Sequence, residues 1–297
     1  MTNITPSRPE SVAISLPDGS TTTVLLFAPR GPEDAVPETP LVVIWPGFGM
    51  GARYYKPMAR WLRDHGFPVA IGELRGQGSS TAKASRRHRW GYHTMVTEDY
   101  PLTISTAKEV LGLPRQHPVV LLTHSMGGQI GTMFLASEGA RAENVVGMMG
   151  VGTGSPYQGA FKGRQRFTVG VGAQMMGAVS RVLGYWPGGK FDPVGYGRQS
   201  GWHVGEWARL SRTNSFAHMK GADYESALTE VTVPVLLTRF ANDTDCTYKS
   251  CQALALHIPA AHPQVEQLRG ELGHNKWARS PGIVGKRFLR FYEEKVK

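Results

Sequence analysis

Apolar and polar positions divide the chain into a regular succession of elements. Ser11–Leu16 and Thr22–Phe27 alternate apolar with polar residues on either side of Pro17-Asp18-Gly19, the pattern of two antiparallel strands joined by a turn. Gly31–Pro40 reads as a proline-rich connection. Leu41–Trp45 is a continuous apolar run, which predicts a strand covered on both faces. Helix Tyr54–His65, strand Pro68–Glu73, helix Glu98–Val110, strand Pro118–Thr123, helix Met126–Ser137 and strand Asn144–Val151 then alternate. After an interruption, strand Val233–Arg239, helix Tyr248–His257, strand Gln264–Leu268 and helix Pro281–Lys295 resume the order. Eight strands alternating with helices predict an α/β fold, a mostly parallel eight-stranded sheet with helices on both faces. Such a sheet places its ligand site at the carboxyl ends of the strands.

The interruption runs from Gly152 to Tyr224. It is rich in Gly, Met and aromatic residues, among them Phe161, Phe167, Tyr185, Trp186, Phe191, Trp202 and Trp207, and it shows one helical stretch, Val171–Leu183. We read residues 1–152 and 225–297 as the core and 153–224 as a cap inserted over the site. A lid of that kind excludes water and shapes an apolar pocket.

Composition narrows the class. The chain has 297 residues, 41% of them hydrophobic, enough for one enzyme-sized domain with an insertion. No apolar run reaches the length of a membrane span, and the first residues lack the apolar stretch of a signal peptide. With only Cys246 and Cys251, expected as free thiols, the reading is a cytoplasmic protein. The formal charge of +10 raises the question of anionic partners. The sharpest basic run, Lys83–Arg89, reads first as a solvated loop whose arginines pin neighbouring loops, and second as an attraction for an anionic substrate or membrane surface. Zinc-finger spacing, basic helices and aromatic ladders are missing, which argues against nucleic acid as a partner. Neither metal-ligand spacing nor a phosphate-cradling loop is present, and no cofactor is expected. The oligomeric state is not legible.

The chemistry concentrates at Thr123-His124-Ser125-Met126-Gly127-Gly128, between an apolar strand and a small-residue helix. A serine there, with glycine two residues on, reads as a nucleophile elbow, although Thr123 stands where the usual Gly-x-Ser-x-Gly has its first glycine. Ser125 needs a base, and the base needs an orienting carboxylate. The polar loop Phe240–Asp245 offers two acids, Asp243 and Asp245, and Gly273-His274 follows the last strand. Pro46-Gly47-Phe48-Gly49-Met50-Gly51 follows the central strand, so the Phe48 and Met126 backbone N–H groups are candidates for an oxyanion hole. His124 reads as packing around the elbow, and Asp99 as a cap or ion-pair partner.

The chain resembles the α/β-hydrolase superfamily, in the branch of monoacylglycerol lipases and serine aminopeptidase-like hydrolases. Glu73-Leu74-Arg75-Gly76-Gln77-Gly78-Ser79-Ser80 is similar to that family's Asp-x-Arg-Gly-x-Gly-x-Ser. Ala52-Arg53-Tyr54-Tyr55, Ala84-Ser85-Arg86-Arg87, Gly91-Tyr92 and Glu206-Trp207-Ala208-Arg209 resemble a bacterial group of predicted α/β-hydrolases. The resemblance covers the chain from about Leu41 onward. It implies an α/β-hydrolase fold and aligns Asp243 with the family's acid. Departures stand at Thr123 for glycine, Pro46 for histidine and Phe240 for glycine. The combined expectation is a Ser125–His274–Asp243 hydrolase of carboxylic esters with an apolar acyl part, working through an acyl-enzyme. An acyltransferase using the same residues, or a binding protein on the same fold, are the alternatives.

Overall fold

The computed structural model describes residues 10–29, 39–189, 192, 195–220 and 222–297. Most of the proline-rich connection, and Phe191, lie outside the described residues. The chain opens with the antiparallel pair β1 (Glu10–Ser15) and β2 (Thr21–Phe27). Then come β3 (Leu41–Trp45), α1 (Lys56–Arg63), β4 (Val69–Ile71), α2 (Tyr92–Thr94), α3 (Tyr100–Val110), β5 (Val119–His124), α4 (Met126–Leu135), α5 (Glu138–Ala142) and β6 (Val145–Val151). The insertion carries α6 (Gly163–Phe167), α7 (Ala173–Leu183), the short strands β7 (Tyr185–Trp186) and β8 (Gln199–Ser200), and α8 (Gly201–Thr213). It is followed by α9 (Glu225–Thr229), β9 (Val235–Phe240), α10 (Tyr248–Ala255), β10 (Gln264–Leu268) and α11 (Gly282–Phe291).

The main sheet has eight strands in the order β1-β2-β4-β3-β5-β6-β9-β10. β2 runs antiparallel to both its neighbours, and the pairs from β4 to β10 are parallel. β3 and β5 are buried at every position because helices cover both faces. Leu41, Val43 and Trp45 of β3 enter a core with Ile104, Ile130 and Leu254. Val42 and Ile44 enter the opposite core with Met58, Leu62 and Phe288. The period-two side-chain alternation of a strand thus feeds two layers at once.

Differences from the sequence expectation have local causes. The helix expected from Glu98 begins at Tyr92 and passes through a π turn, Met95–Asp99, before α3. The helix expected at Val171–Leu183 is the end of a longer helical run from Gly163, with a π turn at Thr168–Gly172. The thirteen-residue α8 was not expected at all. Its Gly201, Trp202, His203 and Trp207 blur the periodicity, because both of its flanks are packed and few positions are left to be polar.

Glu206 of α8 ties the insertion to the core by accepting the Tyr92 N–H on Oε2 (2.6 Å), while its Oε1 has no partner. Burial pushes this carboxyl from 4.5 up to about 7, against the pull of that hydrogen bond and of Arg209 and Lys220. A carboxyl raised on folding keeps its proton in the native state over the range where the unfolded chain loses it. Stability therefore falls as pH rises from about 4.5 to about 7. Glu206→Gln keeps an acceptor for Tyr92 without the charge. We expect its Tm gain over the parent to be larger at pH 8 than at pH 5; an equal gain at both would exclude an ionisable Glu206.

Candidate active site

The loops after β3, β5, β6, β9 and β10 meet at the carboxyl ends of the strands. Ser125 takes φ 51° and ψ −121° between β5 and α4, a backbone state that projects its side chain out of the sheet. The turn closes because residue 127 is glycine. A Cβ there would lie 2.4 Å from the Pro46 carbonyl oxygen and 2.9 Å from that of Trp45. Thr123 replaces the usual first glycine at no cost in space, since Gly128 and Gly131 leave room around its Oγ1 and Cγ2.

Ser125, His274 and Asp243 form one hydrogen-bonded chain. His274 Nε2 lies 3.0 Å from Ser125 Oγ, and its Nδ1 lies 2.9 and 3.0 Å from the two Asp243 oxygens. Gly152, at φ +58°, makes the pair possible, because a Cβ there would stand 2.9 Å from His274 Nδ1. Asp243 is 3% exposed, and its Oδ1 also accepts the Asp245 and Cys246 backbone N–H groups. Asp245 is exposed, on the cavity wall, and does not meet His274. The Phe48 and Met126 N–H groups have no protein acceptor among the described residues, and both residues line the same cavity as Ser125.

Other residues serve the site without having been singled out in the sequence. Arg239 donates to the Cys246, Asp243 and Ala241 carbonyls and so fixes the acid loop. An arginine inside the apolar strand β9 was a legible signal, since a buried guanidinium must be paired. Asn242 accepts the Gly273 N–H and joins the acid loop to the histidine loop. His124 does more than pack. Its Nε2–H donates to the His274 carbonyl (3.0 Å), and its Nδ1 accepts from Tyr55 Oη (2.6 Å), which in turn accepts the Gly47 N–H (3.0 Å). Burial holds this imidazole well below the usual histidine range, so it is neutral and keeps that tautomer. The chain Gly47–Tyr55–His124–His274 connects the glycine-rich loop to the loop of His274.

The two cysteines do not share a helix. Cys246 lies in the acid loop and Cys251 in α10, both buried as free thiols, with their sulfurs 3.4 Å apart. Asp99 is an ion-pair partner, 2.6 Å from Arg75.

The cavity above Ser125 has a volume of about 550 Å³, within the range of small-molecule sites. Of the insertion's aromatics, Phe161, Trp186, Tyr196 and Trp207 reach it, and Tyr196 stacks on Phe48 at 4.2 Å. Phe167 faces solvent, Tyr185 lies under Arg198, and Trp202 lies under Lys220. The described residues hold no His, Cys, Asp or Glu group arranged for a metal.

A family model for serine aminopeptidase, S33, matches residues 37–183. Over those residues the chain is similar to that family, and its eight-stranded sheet with flanking helices is the α/β-hydrolase fold. Solved structures of this fold cover nearly all of it. An esterase from Exiguobacterium antarcticum superposes with a TM-score of 0.59 at 17% identity, over 96% of this chain and 100% of its own. Est1E from Butyrivibrio proteoclasticus, with ferulic acid bound, gives 0.60 at 17% over 96% and 100%. A hypothetical protein from Pseudomonas aeruginosa gives 0.66 at 12% over 99% and 96%. No curated protein matches the chain by sequence. Phe240 stands fully buried at the end of β9, where the resemblance had a glycine.

Proposed function

We propose that this chain is a serine hydrolase of carboxylic esters with an apolar acyl part. The observation that carries the reading is the unbroken Ser125–His274–Asp243 hydrogen-bond chain at the floor of an apolar cavity. His274 takes the Ser125 proton as Oγ attacks the ester carbonyl. Asp243 holds the imidazole tautomer and stabilises the imidazolium that forms. The Phe48 and Met126 N–H groups receive the developing oxyanion, a contribution of roughly 3–4 kcal/mol per donor. The alcohol leaves with the proton from His274, and water then repeats the attack on the acyl-enzyme. Residues 153–224 act as the cap, with Phe161, Met176, Trp186 and Trp207 walling the acyl pocket. The esterases of like fold lend this reading support.

The cap also offers a surface. Phe167, Val171, Met175, Val179 and Val182 lie along the helical run from Gly163 to Leu183, and the first, third and last are 67, 64 and 73% exposed. A four-residue spacing drifts by roughly 40° per step on an ideal α-helix. The wider π turn at Thr168–Gly172 takes up part of that drift. Lys162, Arg164, Arg166 and Arg181 flank the stripe on exposed positions, and no acidic residue occurs between Glu143 and Asp192. This supports weak association of the protein with an anionic membrane surface, weakened by salt. No helix among the described residues is long and apolar enough to cross a membrane. The paired free thiols accord with a cytoplasmic location.

The test is kcat/KM across p-nitrophenyl acetate, butyrate, octanoate and palmitate, beside amide analogues. Each buried methylene contributes about 0.8 kcal/mol, so two or three more carbons should raise kcat/KM by roughly one to two decades until the cavity is full. Esters should be preferred to amides throughout. A monotonic fall from acetate onward would reduce the cap's aromatics to packing.

A further inference from the structure

A second cavity, of about 560 Å³, opens between α7 and α8, with a lining that shares no residue with the one above Ser125. Five cations line it: Arg89 from the basic loop, Arg181 from α7, Arg209 and Arg212 from α8, and Lys220 from the turn that follows. Among the described residues none of the five is in an ion pair. The single carboxylate of the lining, Glu206, has one oxygen committed to the Tyr92 N–H.

Two of the cations are held in place. Lys220 Nζ stands 3.0 Å over the centre of the Trp202 ring, and Arg209 Nη2 lies 3.2 Å from Met219 Sδ. His218 and Lys220 both adopt left-handed backbone, φ 54° and 50°, which turns the chain sharply beneath the cavity. Ser180, fully buried on the wall, has a hydroxyl with no partner. Like charges gathered in this way repel one another, and Glu206, its own carboxyl raised by burial to about 7, is the one acid in the lining. Burial is the largest cause that holds Arg209 and Lys220 below their ordinary values; Glu206 pulls both back up, with Glu225 and Asp223 adding to that at Arg209, while Arg212 depresses Arg209 and Arg89 depresses Lys220.

We propose that this cleft is a binding site for a phosphate-bearing anion, separate from the site of Ser125. A tetrahedral dianion accepts hydrogen bonds from several directions. That suits guanidinium and ammonium donors arriving from four chain segments better than a planar monocarboxylate does. The phosphate is either that of a soluble metabolite or that of a lipid headgroup, and the two share this chemistry. The proposal is independent of the hydrolase reading and needs no turnover for its test.

Titration calorimetry of the full chain with inorganic phosphate, against chloride at equal ionic strength, should give a saturable 1:1 isotherm. Arg181→Gln with Arg212→Gln should weaken it by about tenfold or more. Both side chains are exposed, so a thermal melt should report an intact fold. Arg164→Gln with Arg166→Gln, outside the cleft, serves as the charge-matched control and should leave phosphate binding unchanged. Cosedimentation with phosphatidylcholine vesicles, with and without phosphatidylglycerol, identifies the source. Retention on the anionic vesicles that the cleft variant loses and free phosphate displaces points to a lipid. Phosphate binding without such retention points to a soluble ligand. Heats indistinguishable from chloride, or equal losses of phosphate affinity in the cleft variant and the control, would overturn the site.

Discussion

Ser125→Ala is expected to abolish labelling by a fluorophosphonate probe and to lower ester turnover by about three to six decades. The probe reacts with an activated serine, and activation needs a base in contact. Ser125 Oγ lies 3.0 Å from His274 Nε2, on a backbone twist that leaves the hydroxyl at the cavity floor. The substitution removes one oxygen and leaves the turn intact, because the turn depends on Gly127 and not on the side chain of residue 125. Intact-mass analysis should show a single adduct in the parent and none in the variant. Labelling that survives, or moves to another residue, would refute the nucleophile and with it the acyl-enzyme route. Residual hydrolysis well above water is compatible with the prediction, since the oxyanion donors and the cavity remain.

The second large effect separates two acids that stand two residues apart. Asp243→Asn should lower kcat by about four decades, the cost of a wrong histidine tautomer in a measured triad, while Asp245→Asn should keep most of the activity. Asp243 is buried against His274 and accepts two further backbone N–H groups, whereas Asp245 is exposed and has no contact with the imidazole. An amide at 243 presents a donor to Nδ1–H or forces the imidazole proton onto Nε2, where it blocks acceptance from Ser125. Steady-state kinetics of the two variants, with a melt to confirm folding, decide the ranking. The reverse order would move the acid and require another orientation of the β9 loop. Because Asp243 also secures its own loop through the Cys246 and Asp245 N–H groups, a modest fall in Tm is expected alongside.

Sequence and tertiary structure contributed unequally. The buried strands were legible because a parallel strand covered on both faces must be apolar at every position, as Leu41–Trp45 and Val119–Leu122 are. The elbow was legible because a turn that tight tolerates few residues, and Gly127 marks it. His274 was legible as a glycine-flanked histidine after the last strand. Between Asp243 and Asp245, the composition of the loop gave no preference; only family resemblance did. The fold separates them by burying one and exposing the other, a property of the β9 loop as held by Arg239.

The insertion was the hardest part to read. Its packed glycines and aromatics hide the period of α8, and the π turns in two helical runs shift the phase on which helix recognition rests. The link from Tyr55 through His124 to His274 joins residues 69 and 150 positions apart, so no local pattern announces it. The same holds for the cationic cleft, whose five charges come from four segments. The sequence by itself determined the order of the sheet strands, the class of fold and the places of Ser125 and His274 as candidates, since these depend on local periodicity and on turn geometry confined to a few residues. Which acid meets the base, which aromatics wall the cavity and where the cations gather were decided by the tertiary structure, because each depends on distances between segments far apart in the chain.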